Sequence, residues 1–155
     1  MIHIREAEKP DYQEIIRLMK NELGYPDLDE VETDKRLDYF KNSDDFMTFV
    51  AVVDDEIAGF IGVMKGIAYT NNGYYSQIMA LAVSEKKRRC GIGTALVTRA
   101  EEWSLSYGIA GISVNSNIMR LDAHAFYEKL GYTKKSFSFK KIQIEQYENG
   151  ESTWA

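Results

Sequence analysis

The sequence predicts a mixed α/β fold, a central sheet covered by helices. Three observations carry the prediction. Short apolar runs bounded by turn residues recur along the chain, as half-buried or buried strands require. Between them lie segments with apolar residues at i, i+3, i+4 and i+7, the period of one helical face. The later part of the chain reads strand, helix, strand, the unit that places two strands in parallel. With 155 residues, 45% of them hydrophobic and 28% charged, one domain spanning 1–155 can build its own core.

The elements follow in order. Residues 2–7, "IHIREA", alternate apolar and polar and read as a strand. "PDYQEIIRLMKNEL" reads as a helix with Ile15, Leu18, Met19 and Leu23 on one stripe, and Asp11 with Glu14 resembles a capping box at its start. "GYPD" stops it, and Asp29 with Glu32 caps a second helix that carries Thr33, Leu37 and Phe40 on one side. "FMTFVAVVDDEIAGFIGVMKG" reads as a hairpin of strands 46–53 and 57–65 turning at Asp54–Glu56. After a turn at "NNG", residues 74–83 form a long strand. A helix runs from about Gly91 to Tyr107 with Ile92, Leu96, Ala100 and Trp103 as its buried face. "AGISVN" is a short strand, and Ala123, Phe126, Tyr127 and Leu130 mark a helix over 122–130 that Gly131 ends. "SFSFKKIQIE", within 132–145, is the expected sixth and last strand.

Composition removes several function classes. The net charge is −5, and without Lys86–Arg89 the chain holds 15 cations against 24 anions, so its body repels nucleic acid. One cysteine, Cys90, excludes a disulfide framework, and two histidines, His3 and His124, are too few for most metal centres. No 18-residue apolar run and no signal peptide are visible, so no membrane span is expected and a cytoplasmic protein fits best.

The densest positive charge stands where a helix least tolerates it. Lys86, Lys87, Arg88 and Arg89 run into Cys90-Gly91-Ile92-Gly93 at the start of the third helix, whose N-terminus carries partial positive charge. Two readings fit: a solvated loop shaped by glycines, or a strand-to-helix turn whose backbone N–H groups hold an anion. Nucleotide motifs do not match. The residues after Gly93 lack the lysine of a P-loop, and Leu96 stands where the dinucleotide fingerprint needs Gly or Ala.

Arg88-Arg89-Cys90-Gly91-Ile92-Gly93 resembles the R-x-x-G-x-G acyl-CoA pyrophosphate loop of the GNAT N-acetyltransferase superfamily. A helix and a strand later, "AHAFYEKLGY" (123–132) resembles that family's second signature, A-x-x-F-Y-x-K-x-G-F, and "ELGYP" (22–26) resembles its loop between the first two helices. The resemblance covers roughly residues 2–145. It implies six to seven strands flanked by about four helices, acetyl-CoA as cosubstrate, an amine acceptor and no metal.

Residue by residue, the resemblance implies that pantetheine pairs with backbone groups of Leu81, Ala82 and Val83. The pyrophosphate would rest on the N–H groups of Arg89, Cys90, Gly91, Ile92, Gly93 and Thr94, with Arg88 or its neighbours adding charge. Tyr127 would be the general acid that protonates the departing thiolate, although its apolar stripe alone reads as core. Two positions depart from the family. No acid occupies Ile78-Met79-Ala80, so the general base is unassigned; Gln77 could hold a water but is a poor base, and Glu22 of "ELGYP" is a candidate base that reads first as an exposed helix-end carboxylate. Arg120 stands where many relatives carry Asn. His124 reads as structural or exposed, and Cys90 as a spacer. The acceptor pocket is expected near Tyr25 and loop 66–75, where Tyr69, Tyr74 and Tyr75 read as either loop aromatics or a cation–π surface. Homodimers are common in the family, and the sequence fixes no interface. The missing strand acid leaves a second reading, a non-catalytic acyl-CoA sensor on the same fold.

Overall fold

The computed structural model describes residues 1–70 and 73–144, in two compact units, Met1–Val114 and Asn115–Ala155. The first unit holds β1 (His3–Glu6), α1 (Tyr12–Glu22), α2 (Glu30–Lys41), β2 (Phe46–Val53), β3 (Glu56–Ile67), β4 (Tyr74–Val83), α3 (Ile92–Ser106) and β5 (Ile112–Val114). The sheet runs in chain order, β1-β2-β3-β4-β5. Its first three pairings are antiparallel, and β4–β5 is parallel because α3 carries the chain back between them.

Alternation along the strands sorts side chains to two faces. Val50, Phe60 and Ala82 pack with Tyr12, Ile15 and Leu18 of α1 and Leu37 of α2. On the other face Phe49 lies under the Arg99 guanidinium of α3, 4.5 Å from its ring centre. The expected stripe of α3 is buried: Ile92, Leu96, Ala100 and Trp103 are joined by Val97 and Ser104. The β2–β3 hairpin turns on Asp54 and Asp55, both left-handed (φ 52° and 63°), which suits the twist of its strands.

The two caps differ from each other. Asp29 accepts the Glu32 N–H and starts α2 as the sequence predicts. Asp11 does not cap α1 with Glu14. Its carboxylate takes both Arg5 nitrogens at 2.6 and 2.9 Å and the Glu8 N–H at 2.7 Å, while Glu14 pairs with Arg17. A charged partner on β1 outbids the helix end.

In the second unit the described residues form α4 (Leu121–Lys129). Its apolar stripe, Ala123, Phe126, Tyr127 and Leu130, is half-buried rather than core. The expected final strand is not present over 136–144, and its last residue, 145, lies outside the described residues. Five strands therefore form among the described residues, against the six to seven expected. Alternation in "SFSFKKIQI" defines the faces of a strand but supplies no ladder partner, and Phe137 and Phe139 stay 87% and 93% exposed.

Candidate active site

The site in the first unit is built by a defect in the sheet. β3 and β4 lose register between Gly62 and Val63, which leaves Met79 as the extra residue of a bulge on β4. The β4–β5 ladder spans only Ser76 to Ile78, so it ends immediately before that bulge. Beyond it β4 continues to Val83, and among the described residues no strand pairs with its outer edge.

Backbone direction follows from register. Ser84 N–H donates to the Ala58 carbonyl at 2.8 Å. Antiparallel pairs alternate, so Ala82, opposite Phe60, also turns its backbone toward β3. Leu81 and Val83 then turn theirs to the unpaired edge. Arg88 Nε donates to the Val83 carbonyl at 3.4 Å, which fits that direction. Of the three β4 residues singled out in the sequence, two therefore present main-chain groups and Ala82 sits between them with its methyl in the α1 core. Leu81 and Val83 are half-buried.

The turn after β4 holds Arg89 at φ 63° and Gly91 at φ 80°, both left-handed. Gly91 is the N-cap of α3 and provides no side-chain cap. The first helical bond runs from Ala95 N–H to the Gly91 carbonyl at 3.0 Å. The N–H groups of Ile92, Gly93 and Thr94 precede it, and the first turn carries no acid. An uncapped helix start with cations beside it suits an anion.

The four cations are not equivalent. Lys87 pairs with Asp54 at 3.1 Å, and Arg88 with Glu22 at 2.6 Å. Lys86 and Arg89 make no ion pair with the described residues, and both are exposed. Half of the charge run is therefore neutralised by distant carboxylates. Cys90 is exposed, and its thiol lies 3.5 Å from the Arg88 carbonyl.

Glu22 departs from the sequence reading. Its side chain is only 12% exposed. The segment after β4 folds over the end of α1, and Glu22 accepts the Glu85 N–H at 3.1 Å with Oε1 while Oε2 meets Arg88. With both oxygens engaged, it is not placed as a base.

Two of the tyrosines expected at the acceptor pocket have other partners. The Tyr74 ring stacks on Lys65 (4.4 Å), which also meets Tyr107 (4.6 Å) and Asp45 (3.0 Å). Tyr75 lies over Gly66. Tyr69 is fully exposed, and Tyr25 is half-buried. Gln77 is half-buried on β4.

Tyr127 belongs to the second unit, on α4. Leu130, Gly131 (φ 94°) and Tyr132 close that helix: Gly131 N–H donates to Glu128 and Tyr132 N–H to the Tyr127 carbonyl, both at 3.0 Å. This double bond pattern brings the residue after the glycine back onto the helix. The Tyr132 ring accordingly meets Tyr127 edge-on at 5.6 Å, and Phe126 does so at 5.1 Å. Burial pushes the Tyr127 phenol above its ordinary value of 10, and the Arg120 charge pulls it back in part. Arg120, which the sequence left without a role, thus acts electrostatically on Tyr127. His124 Nε2 lies 2.8 Å from the Asn117 carbonyl, a structural contact ahead of the helix.

No helix among the described residues is long and apolar enough to cross a membrane. Among them no group of three metal-ligating side chains assembles.

The model for the acetyltransferase (GNAT) family matches residues 4–132. A protein of Bacillus subtilis (strain 168), described as uncharacterized N-acetyltransferase YhdJ, is 26% identical over 150 residues, 91% of this chain and 99% of that one. The aminoalkylphosphonate N-acetyltransferase of Salmonella typhimurium is 29% identical over 133 residues, 84% of this chain and 81% of its own. The crystal structure of a transcriptional regulator from Bacillus halodurans C-125 superposes with a TM-score of 0.85 at 24% identity, covering 92% of this chain and 99% of that one, a likeness of fold.

Proposed function

The chain belongs to the GNAT acetyltransferase family and is an N-acetyltransferase, and from that premise we propose that it moves the acetyl group of acetyl-CoA to an amine by direct attack in a ternary complex. The observation that carries the reading is the uncapped α3 start beside the unpaired β4 edge. Backbone groups of Leu81 and Val83 pair with the pantetheine arm as an added strand would. The N–H groups from Arg89 to Thr94 take the pyrophosphate, with charge from Arg89 and Lys86 and one edge of Arg88.

The amine nitrogen bonds to the thioester carbonyl carbon, and the carbon–sulfur bond breaks. Tyr127 donates its phenolic proton to the leaving sulfur, the nitrogen gives up a proton to solvent, and the phenolate takes a proton back from solvent before the next turnover. A phenol held above its ordinary range stays protonated throughout neutral pH, so the acid is always charged with its proton. The attacking amine must be neutral, and an alkyl ammonium of pKa about 10.4 is mostly protonated at pH 7. Release of its proton through water is consistent with the absence of an acid at Ile78-Met79-Ala80.

The related aminoalkylphosphonate enzyme makes small primary amines the first acceptors to try. The test incubates the protein with acetyl-CoA and a panel of aminoalkylphosphonates, aminoglycosides, polyamines and peptide amines, and follows free thiol. Amine-dependent thiol release supports the reading. Tight CoA binding with no turnover on any amine supports the acyl-CoA sensor instead.

A further inference from the structure

Glu22 lies 66 residues before Arg88 and is the last residue of α1, yet both of its oxygens are spent on the segment that leads into the α3 turn. Oε1 fixes the Glu85 N–H, and Oε2 fixes Arg88 Nη2 at 2.6 Å. Nε of the same Arg88 side chain donates to the main-chain carbonyl of Val83 at 3.4 Å. The guanidinium is thereby held along its Nε–Nη2 edge. Its Nη1 has no partner among the described residues, and the side chain is 52% exposed. Arginine recognises phosphate through a planar fork, so fixing two of its nitrogens fixes the direction of the third.

We propose that Glu22 is a positioning residue for cofactor binding: its carboxylate anchors residues 84–88 and holds Arg88 with the Nη1 edge outward, toward the phosphates. This rests on reading residues 88–94 as the pyrophosphate turn. An anchored arginine loses less rotamer freedom on binding than a mobile one, and preorganisation of this kind appears as affinity. It also ties α1, at the head of the 22–26 loop, to the cofactor turn.

The experiment is titration calorimetry with CoA on the wild type, Glu22→Gln, Glu22→Ala, Arg88→Ala and the double Glu22→Ala/Arg88→Ala variant, with thermal melts of each. Glu22→Ala is expected to weaken CoA binding about fivefold or more, and Glu22→Gln, which keeps an acceptor for Glu85, about two- to threefold. In the Arg88→Ala background the Glu22→Ala change is expected to cost less than about twofold, because its effect passes through Arg88. Unchanged or tighter CoA binding by both Glu22 variants would overturn the proposal and show the pair to be neutral or a competitor. Full additivity in the double variant would also overturn it, assigning Glu22 a general folding role. If Glu22→Ala does not fold, the same cycle is read with Glu22→Gln. A wild type that binds no CoA would instead sink the cofactor reading itself.

Discussion

Replacing Gly91 by alanine isolates the backbone geometry of the turn proposed to hold the cofactor. Gly91 sits at φ 80°, and a Cβ there meets nothing within 4 Å. The substitution therefore adds no clash, only the penalty of a left-handed L-residue, about 1–2 kcal/mol. Gly108, at the other end of α3, provides the matched control with φ 74° and the same open space. Both variants should lose similar stability, a melting shift of about 2–8 °C for a chain of this size. They should part on CoA. If alanine at 91 relaxes toward negative φ, the peptide unit that orients the Ile92 N–H rotates. Losing one charge-assisted hydrogen bond of about 1.5–3 kcal/mol weakens binding roughly 10- to 150-fold. Gly108→Ala leaves the α3 start intact and should change affinity less than about twofold. Calorimetry with CoA, beside urea or thermal unfolding, reads both. Equal effects of the two variants on CoA affinity, or none from Gly91→Ala, would refute the placement of the anion at this turn.

Other expectations concern charge and protons. Arg89→Gln should weaken CoA binding about three- to tenfold, and Lys87→Gln, whose charge Asp54 already neutralises, less than about twofold, with the Arg89 effect shrinking at high salt. Tyr127→Phe should lower kcat about 10²- to 10⁴-fold at a given pH while CoA affinity stays nearly constant. Because burial raises the Tyr127 pKa, the alkaline fall in kcat assigned to this acid should come above pH 10, and Arg120→Ala should move it higher still; a pH–rate profile of both forms checks this. Arg5 holds the Asp11 carboxyl below its ordinary range, so the pair stabilises the fold above about pH 4 and the contribution is lost as pH falls through the depressed folded value. Arg5→Met should cost about 1–3 kcal/mol in urea unfolding at pH 7, and much less near pH 2.

Much of this molecule is written locally. Helical stripes recur within seven residues, so Ile92, Leu96, Ala100 and Trp103 could be assigned to one buried face before any packing was known. Asp29 caps α2 because its oxygen reaches only three residues ahead. Gly131 ends α4, and Gly91 opens α3, for the same kind of reason: a left-handed backbone angle favours glycine. The second signature, ten residues long, contains the whole Tyr127–Gly131–Tyr132 closure that sets Tyr127 on its helix.

What the sequence could not decide is partner choice across long separations. Lys86 to Arg89 read as four equal cations, and only the fold brings Asp54 and Glu22, 33 and 66 residues away, to neutralise two of them. Asp11 looked like a cap until β1 placed Arg5 beside it. The alternation at Phe137 and Phe139 described a strand without saying that an edge would meet it. The bulge at Met79, which ends the β4–β5 ladder and frees the edge at Leu81 and Val83, leaves no local mark because register is a property of two strands together. Local backbone preference and periodicity fixed the pieces of this acetyltransferase; the pairing of distant charges and strand edges, which only folding brings within a few ångströms, decided how the turn before α3 is held.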